Sequence, residues 1–569
     1  MPCISVVIKI NRYKKYIMNG LILSAAAILI RTVGVGFNVY VSSKVGAEGM
    51  GLLGLTTTVY GFAITLATSG INLAVVRLVS NALPYGNEGY FDKESDRRVR
   101  AIMRNALFYC LFFSLLASFL LFTGAKAIGT YALGDKRTVP SLKLLSFTLV
   151  PISLSSALNG YFNAVRRVYK SVVVQVCEQG AKITVISALL VLIAPKGLEY
   201  ACIAVVAGGA VSEAVCVTIA AALYFFDRRI HRNQKFNLLK KKENLSKNLG
   251  GVSVFDVNGI TKGSYIITRK KEVTKAEKAS IASIALPVAV SAYVRSALLT
   301  IEHLAIPWGL KRSGASRECA LASYGVLHGM VFPLLLFPSA ILGAFSSLLI
   351  PELSAALEKQ DSRRIESIVS RVFFFALTFS IGVSGIFVCF SKELGTYIYG
   401  SAEAAEYIKL LSPLIPLMYL DTAVDSMLKG LGEQLYTMRV NIADSFMSVL
   451  LVVTLLPNMG IKGYVVVIFA MELFNTTLSV FKLLKVVKIK TPVFSWVIKP
   501  LLTVIFATAA TRLIFTSDAL YSFISALFND KAICFVEVGV CAVIYLLVSY
   551  LLYRKSLGNF CLKCKQTAK

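Results

Sequence analysis

A set of ionisable side chains stands where the surrounding sequence is almost wholly apolar: Arg31, Arg77, Lys143, Glu178, Lys182, Glu213, Arg295, Glu302, His303, Lys409, Asp421, Asp425, Asp444, Glu472 and Glu537. A charge in hydrocarbon costs roughly 2.5–3.5 kcal/mol on insertion scales, so each needs a partner, a watery cavity or a route to the interface. Arg31 in "LIRT" and Arg295 in "YVRS" are the sharpest pair, because each occupies the first apolar helix of its half of the chain. Two cations converging on one cavity repel unless an anion is shared between them, and two guanidinium groups suit a diphosphate. The alternative is that each is satisfied by nearby carboxylates or helix carbonyls. Arg77 is a third candidate for the headgroup, although it, Lys143 and Lys409 stand close enough to helix ends to snorkel.

The carboxylates suggest other work. Asp421 and Asp425 in "MYLDTAVDSMLKG" lie one turn apart, just after Pro413 and Pro416, which break or kink the helix. Such a pair suits a cation or proton site, or salt bridges to the arginines that hold one state closed. Glu178 and Lys182, four residues apart, can neutralise each other on one helix face. Glu302 and His303 can line a cavity and lie within reach of Arg295, seven residues earlier on the same face. Asp444 stands at the position equivalent to Glu178 in an internal repeat, and both join the cavity or coupling candidates.

Composition sets what these groups are embedded in. Of 569 residues, 56% are hydrophobic and 16% charged, and mean hydropathy is +0.69. That identifies an all-α, polytopic membrane protein. Apolar runs predict about fourteen spans, near 20–43, 51–80, 103–125, 141–165, 171–194, 200–226, 281–308, 319–350, 368–390, 407–428, 437–457, 463–481, 496–516 and 532–553. The net charge of +29 would suggest nucleic acid in a soluble chain, but here it sorts by side. With a cytoplasmic N-terminus, roughly 42 Lys/Arg fall on the inner connections and tails and roughly 12 on the outer ones. Both termini are therefore expected inside, in the plasma membrane, with no nucleic-acid partner. The first span follows "KINRYKK" and reads as retained rather than as a signal peptide.

The second half repeats the first. "KAIGTYALGDKRTVPSLKLLSFTLVPISL" at 126–154 aligns with "KELGTYIYGSAEAAEYIKLLSPLIPLMYL" at 392–420. The expected organisation is an N-terminal lobe (1–226, helices 1–6), a basic cytoplasmic loop (227–280), a C-terminal lobe (281–485, helices 7–12), and two extra helices with a basic tail (486–569). Two parallel six-helix repeats enclosing a cleft that opens alternately to either side form a transporter's architecture. The 227–280 loop, with "RRIHRNQK" and "LKKKENLSK", would lie along anionic lipid or dock an acidic partner.

Little here supports catalysis. There are three histidines and eleven scattered cysteines, most of them within apolar runs. "CLKC" at 561–564 lacks the further ligands of a zinc site. No Walker motif, G-x-S-x-G or H-E-x-x-H occurs, and "KVGAEGMGLLG" reads as a tight turn with helix packing, not a phosphate cradle. The chain is expected not to be an enzyme and to hold no cofactor or metal beyond a coupling ion, Na+ or H+.

"LIRTVGVGFNVYVSSKVGAEGMGLLGL", "ATSGINLAVVRLVS" and "LLLFPSAILGAFSSLLIPELS" resemble the stage V sporulation protein B and polysaccharide-biosynthesis flippase family. That family lies within the multidrug/oligosaccharidyl-lipid/polysaccharide exporter superfamily and is related to lipid II flippases. The likeness runs from about residue 20 to 555, interrupted mainly by the basic insert. It implies fourteen helices, two lobes forming a V, and export of undecaprenyl-diphosphate-linked saccharides to the outer leaflet, here for peptidoglycan of the spore cortex. It also implies that helices thirteen and fourteen border a groove for the lipid tail. Arg31 matches the first-helix arginine that lipid II flippases use for the diphosphate. Their second and eighth-helix arginines would fall at Phe37 and Pro333 and are absent, which puts lipid II itself in doubt as the cargo. The alternatives are a cation-coupled multidrug antiporter of the same superfamily, and a membrane scaffold that organises cell-wall synthesis enzymes through the basic loop.

Overall fold

The computed structural model describes residues 2–68, 70–83, 93–165, 167–248, 281–489, 494–516 and 530–567. All regular elements among them are helical. In order they are α1 (Pro2–Thr68), α2 (Ile71–Ala82), α3 (Lys93–Ala127), α4 (Thr138–Ala164), α5 (Val168–Ile193), α6 (Leu198–Asn248), α7 (Ile281–Arg312), α8 (Arg317–Tyr324), α9 (Phe332–Leu336), α10 (Ser339–Glu358), α11 (Ser362–Cys389), α12 (Ser391–Tyr399), α13 (Ala402–Leu411), α14 (Ile415–Gly430), α15 (Gln434–Val486), α16 (Lys499–Phe515) and α17 (Asp530–Thr567). Three π-helical stretches adjoin them, the longest at Gly325–Val331 between α8 and α9.

Ten described segments are long and apolar enough to cross a membrane. Two of them, Ala26–Ala82 and Gln434–Val486, have 57 and 53 residues. At 1.5 Å per residue each exceeds about 75 Å, more than twice a hydrocarbon core of ~30 Å, so each holds two passes. The backbone leaves helical geometry inside both, at Gly46 (φ 75°) and at Gly460 (φ 59°). A side chain at these angles would clash with the backbone, and glycine has none. The chain is a multi-pass, all-α membrane protein.

Several boundaries differ from the expected spans. The second span is interrupted around Gly70, which is left-handed at φ 77°, and the eighth is divided into α8, the π stretch, α9 and α10. Pro413 and Pro416 do interrupt the tenth span, as a 3-10 turn at Ser412–Leu414. The basic segment does not begin as a loop at 227: α6 continues to Asn248, because Asp227 is fully buried and anchors that turn. Residues 249–280, the rest of the expected lipid-binding loop, lie outside the described residues.

Contacts gather the helices into two compact units, Met1–Leu23 with Leu55–Thr300, and Ser24–Gly54 with Ile301–Lys569. Within the first, α4 packs on α2, α3 and α6; within the second, α14 packs on α10, α11 and α15. These are the same neighbours, one repeat apart. The repeat also extends to single atoms. A Cβ on Gly129 would stand 2.6 Å from the Val139 side chain, and one on Gly395 would run into Ala405. Positions 142, 146 and 149 are fully buried, and so are their equivalents 408, 412 and 415. Ser153 donates its hydroxyl to the Ala67 carbonyl (2.9 Å), and its equivalent, Tyr419, donates to the Leu335 carbonyl (2.7 Å). Both acceptors lie just before a break in their helix, where carbonyls lose their intrahelical donors.

Candidate functional site

In the first unit, Arg77 and Arg295 are exposed on their helices. Beside Arg295, the Ser296 hydroxyl donates to the Thr65 hydroxyl (3.2 Å) and Tyr293 donates to the Leu66 carbonyl (3.3 Å), fixing this end of α7 to α1. Glu178 and Lys182 act electrostatically on Glu213 of α6, so the expected two-residue pair on α5 has a third charged neighbour. Nearby, the hydroxyls of Tyr60 and Thr148 are hydrogen-bonded.

The strongest charge cluster of this unit was not foreseen from the sequence. Asp227, at the point where α6 leaves the apolar stretch, receives Arg167 and Lys170 and the Tyr161 hydroxyl (3.1 Å). One residue on, Arg228 pairs with Asp96 (2.6 Å) and donates to the Tyr224 hydroxyl (3.1 Å). The "VRRVYK" run that supplies Arg167 and Lys170 was a visible signal, but its partner lies 57 to 60 residues away.

In the second unit, Arg31 is exposed on α1 and acts electrostatically on the Tyr419 hydroxyl. Asp421 accepts from the Asn475 amide (3.2 Å), while Asp425 pairs with Lys429 one turn along (3.3 Å). Within this unit the two aspartates thus take an asparagine and a lysine as partners. Glu472 accepts from Thr476 (3.3 Å), and it, Asp444 and Asp425 all act on Asp421 or on one another. An acidic group thus gathers where α14 meets α15. Among the described residues no set of three His, Cys, Asp or Glu side chains is arranged to hold a metal ion.

Glu302 and His303 find their partners inside the second unit. Glu302 accepts from the Ser448 hydroxyl of α15 (2.6 Å). His303 Nδ1 bonds the Tyr324 hydroxyl (3.0 Å). Tyr324 also packs on His328, whose Nε2 bonds the Tyr464 hydroxyl (2.7 Å). The two imidazole centroids are 4.6 Å apart at 71°. Tyr324, His328 and Tyr464 carried no sequence signal beyond the rarity of histidine.

Beside this network runs a close helix crossing within the same unit. A Cβ on Gly51 would run into the Leu321 carbonyl, and one on Gly325 into the Ala47 carbonyl. One on Gly329 would stand 2.9 Å from Met50 Cβ, and one on Gly54 3.0 Å from the Tyr324 ring. Small residues let the two backbones touch, as the turn at 44–54 led us to expect.

The final helices attach through Arg512 of α16, which pairs with Glu393 of α12 and lies 3.6 Å from Glu537 of α17. Its guanidinium also covers the Phe390 ring at 4.6 Å.

Residues 17–251 match the family model described as polysaccharide biosynthesis protein, and residues 314–454 match the MatE model. Stage V sporulation protein B of Bacillus subtilis (strain 168) is 25% identical over 451 residues, covering 79% of each chain. Among solved structures, the lipid II flippase MurJ in an inward closed conformation superposes with a TM-score of 0.60 at 11% identity, covering 94% of this chain and all of that one. An inward-facing multidrug resistance MATE transporter gives a TM-score of 0.54 at 15% identity, covering 81% of this chain and 97% of its own.

Proposed function

Because the chain belongs to the multidrug/oligosaccharidyl-lipid/polysaccharide exporter superfamily, we propose that this transporter is a flippase for an undecaprenyl-diphosphate-linked saccharide, moved from the cytoplasmic to the outer leaflet of the plasma membrane. Alternating access between two repeated helical bundles would carry the headgroup through the bilayer. The observation that carries the reading is the pair Arg31 and Arg295. Each is an exposed guanidinium on an apolar helix at the start of its repeat, and neither has a hydrogen-bond or ion-pair partner among the described residues. Uncompensated cations in membrane-spanning helices point to an anionic ligand, and a guanidinium binds phosphate oxygens bidentately. Likeness to a sporulation protein supports a peptidoglycan precursor of the spore cortex as cargo.

The acidic group of Asp421, Asp425, Asp444 and Glu472 favours a second reading, a cation-coupled multidrug antiporter. Reconstitution in vesicles separates the two. For the flippase, Arg31→Ala with Arg295→Ala abolishes transfer of the lipid-linked headgroup between leaflets; unchanged transfer removes the diphosphate assignment. Drug efflux that depends on Asp421 or Asp425, without headgroup transfer, establishes the antiporter.

A further inference from the structure

Two of the chain's three histidines meet inside the second unit, in a network drawn from three separate stretches of backbone. His303 comes from α7, His328 from the π-helical stretch Gly325–Val331, and their hydroxyl partners are Tyr324 of α8 and Tyr464 of α15. A neutral imidazole has one donor and one acceptor nitrogen, whereas a tyrosine hydroxyl can serve in either role. When a ring nitrogen changes from acceptor to donor, the hydroxyl bonded to it becomes the acceptor and its own hydrogen turns to another acceptor. One imidazolium is accommodated by the Tyr324 face, stacked on the His328 ring with centroids 4.6 Å apart. A second proton would set two like charges at a similar separation, and their repulsion disfavours it. The acidic groups beside the pair are Glu302, next to His303 in sequence, and Glu403 of α13, which accepts from Ser323 next to Tyr324 (3.0 Å).

The same backbone also forms the glycine crossing. Gly325 and Gly329 belong to the π stretch that carries His328, and they touch Ala47, Gly51 and Met50. Tyr324 belongs to both arrangements, with its hydroxyl on His303 and its ring edge against Gly54. A π-helical turn holds one more residue than an α-helical turn and is commonly found at functional sites. Gly54 adjoins Leu55, where the chain passes from one compact unit to the other.

We propose that His303 and His328 together bind one proton, and that its binding changes how residues 321–329 pack against residues 47–54. This gives the coupling ion an identity, and in that respect it rests on the transporter reading. The site and its link to the crossing are measured without any cargo.

The test uses the full chain in lipid nanodiscs with 15N-labelled histidine. His231→Gln, His303→Gln and His328→Gln assign the three signals. In the unaltered chain the His303 and His328 shifts are expected to change together on acidification, in one step that takes up one proton per chain. His328→Gln is expected to move the His303 midpoint by about one pH unit. Spin labels on non-cysteine handles at positions 44 and 318, both exposed, should report a distance change over the same pH range that is lost in both glutamine variants. Tyr464→Phe, which keeps the ring, gives a second variant should either glutamine chain fail to fold. Separate titration of the histidines, uptake of two protons or constant neutrality overturns the site. Joint titration with a constant label distance overturns the link. Failure of headgroup transfer with both signals intact counts against the flippase reading alone.

Discussion

Replacing Asp227 by Ala should loosen the first unit more than any other single truncation in it. The carboxylate is fully buried, the Lys170 side chain is 8% exposed, and Arg167 is 23% exposed. Removing the anion leaves one cation with almost no access to water and another with a little, and also frees the Tyr161 hydroxyl. Breaking a buried pair in this way costs about 3–5 kcal/mol, against the near-neutral result of replacing both partners by apolar groups. At 1.4 kcal/mol per tenfold, opening of the α4–α5 turn becomes roughly two to three and a half decades more frequent. Trypsin reads this directly, because the turn offers Arg167 to the protease whenever it opens, and cleavage follows the open population when reclosing is fast. Asp227→Ala should raise the native-state cleavage rate there by at least a hundredfold, and Asp227→Leu with Lys170→Met should bring it back to within about tenfold of the parent. Cleavage of Asp227→Ala within threefold of the parent would refute the buried-charge reasoning.

Three further outcomes are expected. Gly395→Val forces a branched side chain into Ala405 and should lower the thermal midpoint, with Gly129→Val doing the same in the other repeat; overpacking of this kind costs about 1–3 kcal/mol each, and an unchanged midpoint would contradict the close contact. Tyr419→Phe removes the donor to the Leu335 carbonyl and should cost about 1–3 kcal/mol in denaturant-derived stability, the penalty for a buried acceptor left unsatisfied. Arg512→Ala removes the pairing with Glu393 and Glu537, and hydrogen exchange should rise in α16 and α17 while α4 to α6 stay protected.

The architecture was legible because it is written in periodic apolar sequence and in a duplication. Once "GTYALGD" was set against "GTYIYGS", the equivalence of Gly129 with Gly395 and of position 153 with 419 followed, and the structure shows these pairs making matching contacts. What was not legible depends on partners distant in sequence. Asp227 looked like the first polar residue of a loop, since nothing local announces that Arg167 and Lys170 return to it. His303 was noticed for its charge, but its relation to His328 needs the π-helical turn, and that of His328 to Tyr464 spans 136 residues. Aspartates four apart suggested a ligand pair, whereas a lysine a further turn along takes the second of them.

The hydroxyls at positions 153 and 419 bear on how the two halves could diverge. A short serine and a long tyrosine descend from one ancestral site, yet each still reaches an interrupted neighbour. Both repeats thus keep a hydroxyl donor at that height, with a side chain whose reach suits its own receiving helix. A chimera that exchanges only the fourth and tenth spans would mismatch reach and gap in both halves at once, so the receiving helices must be transplanted with them.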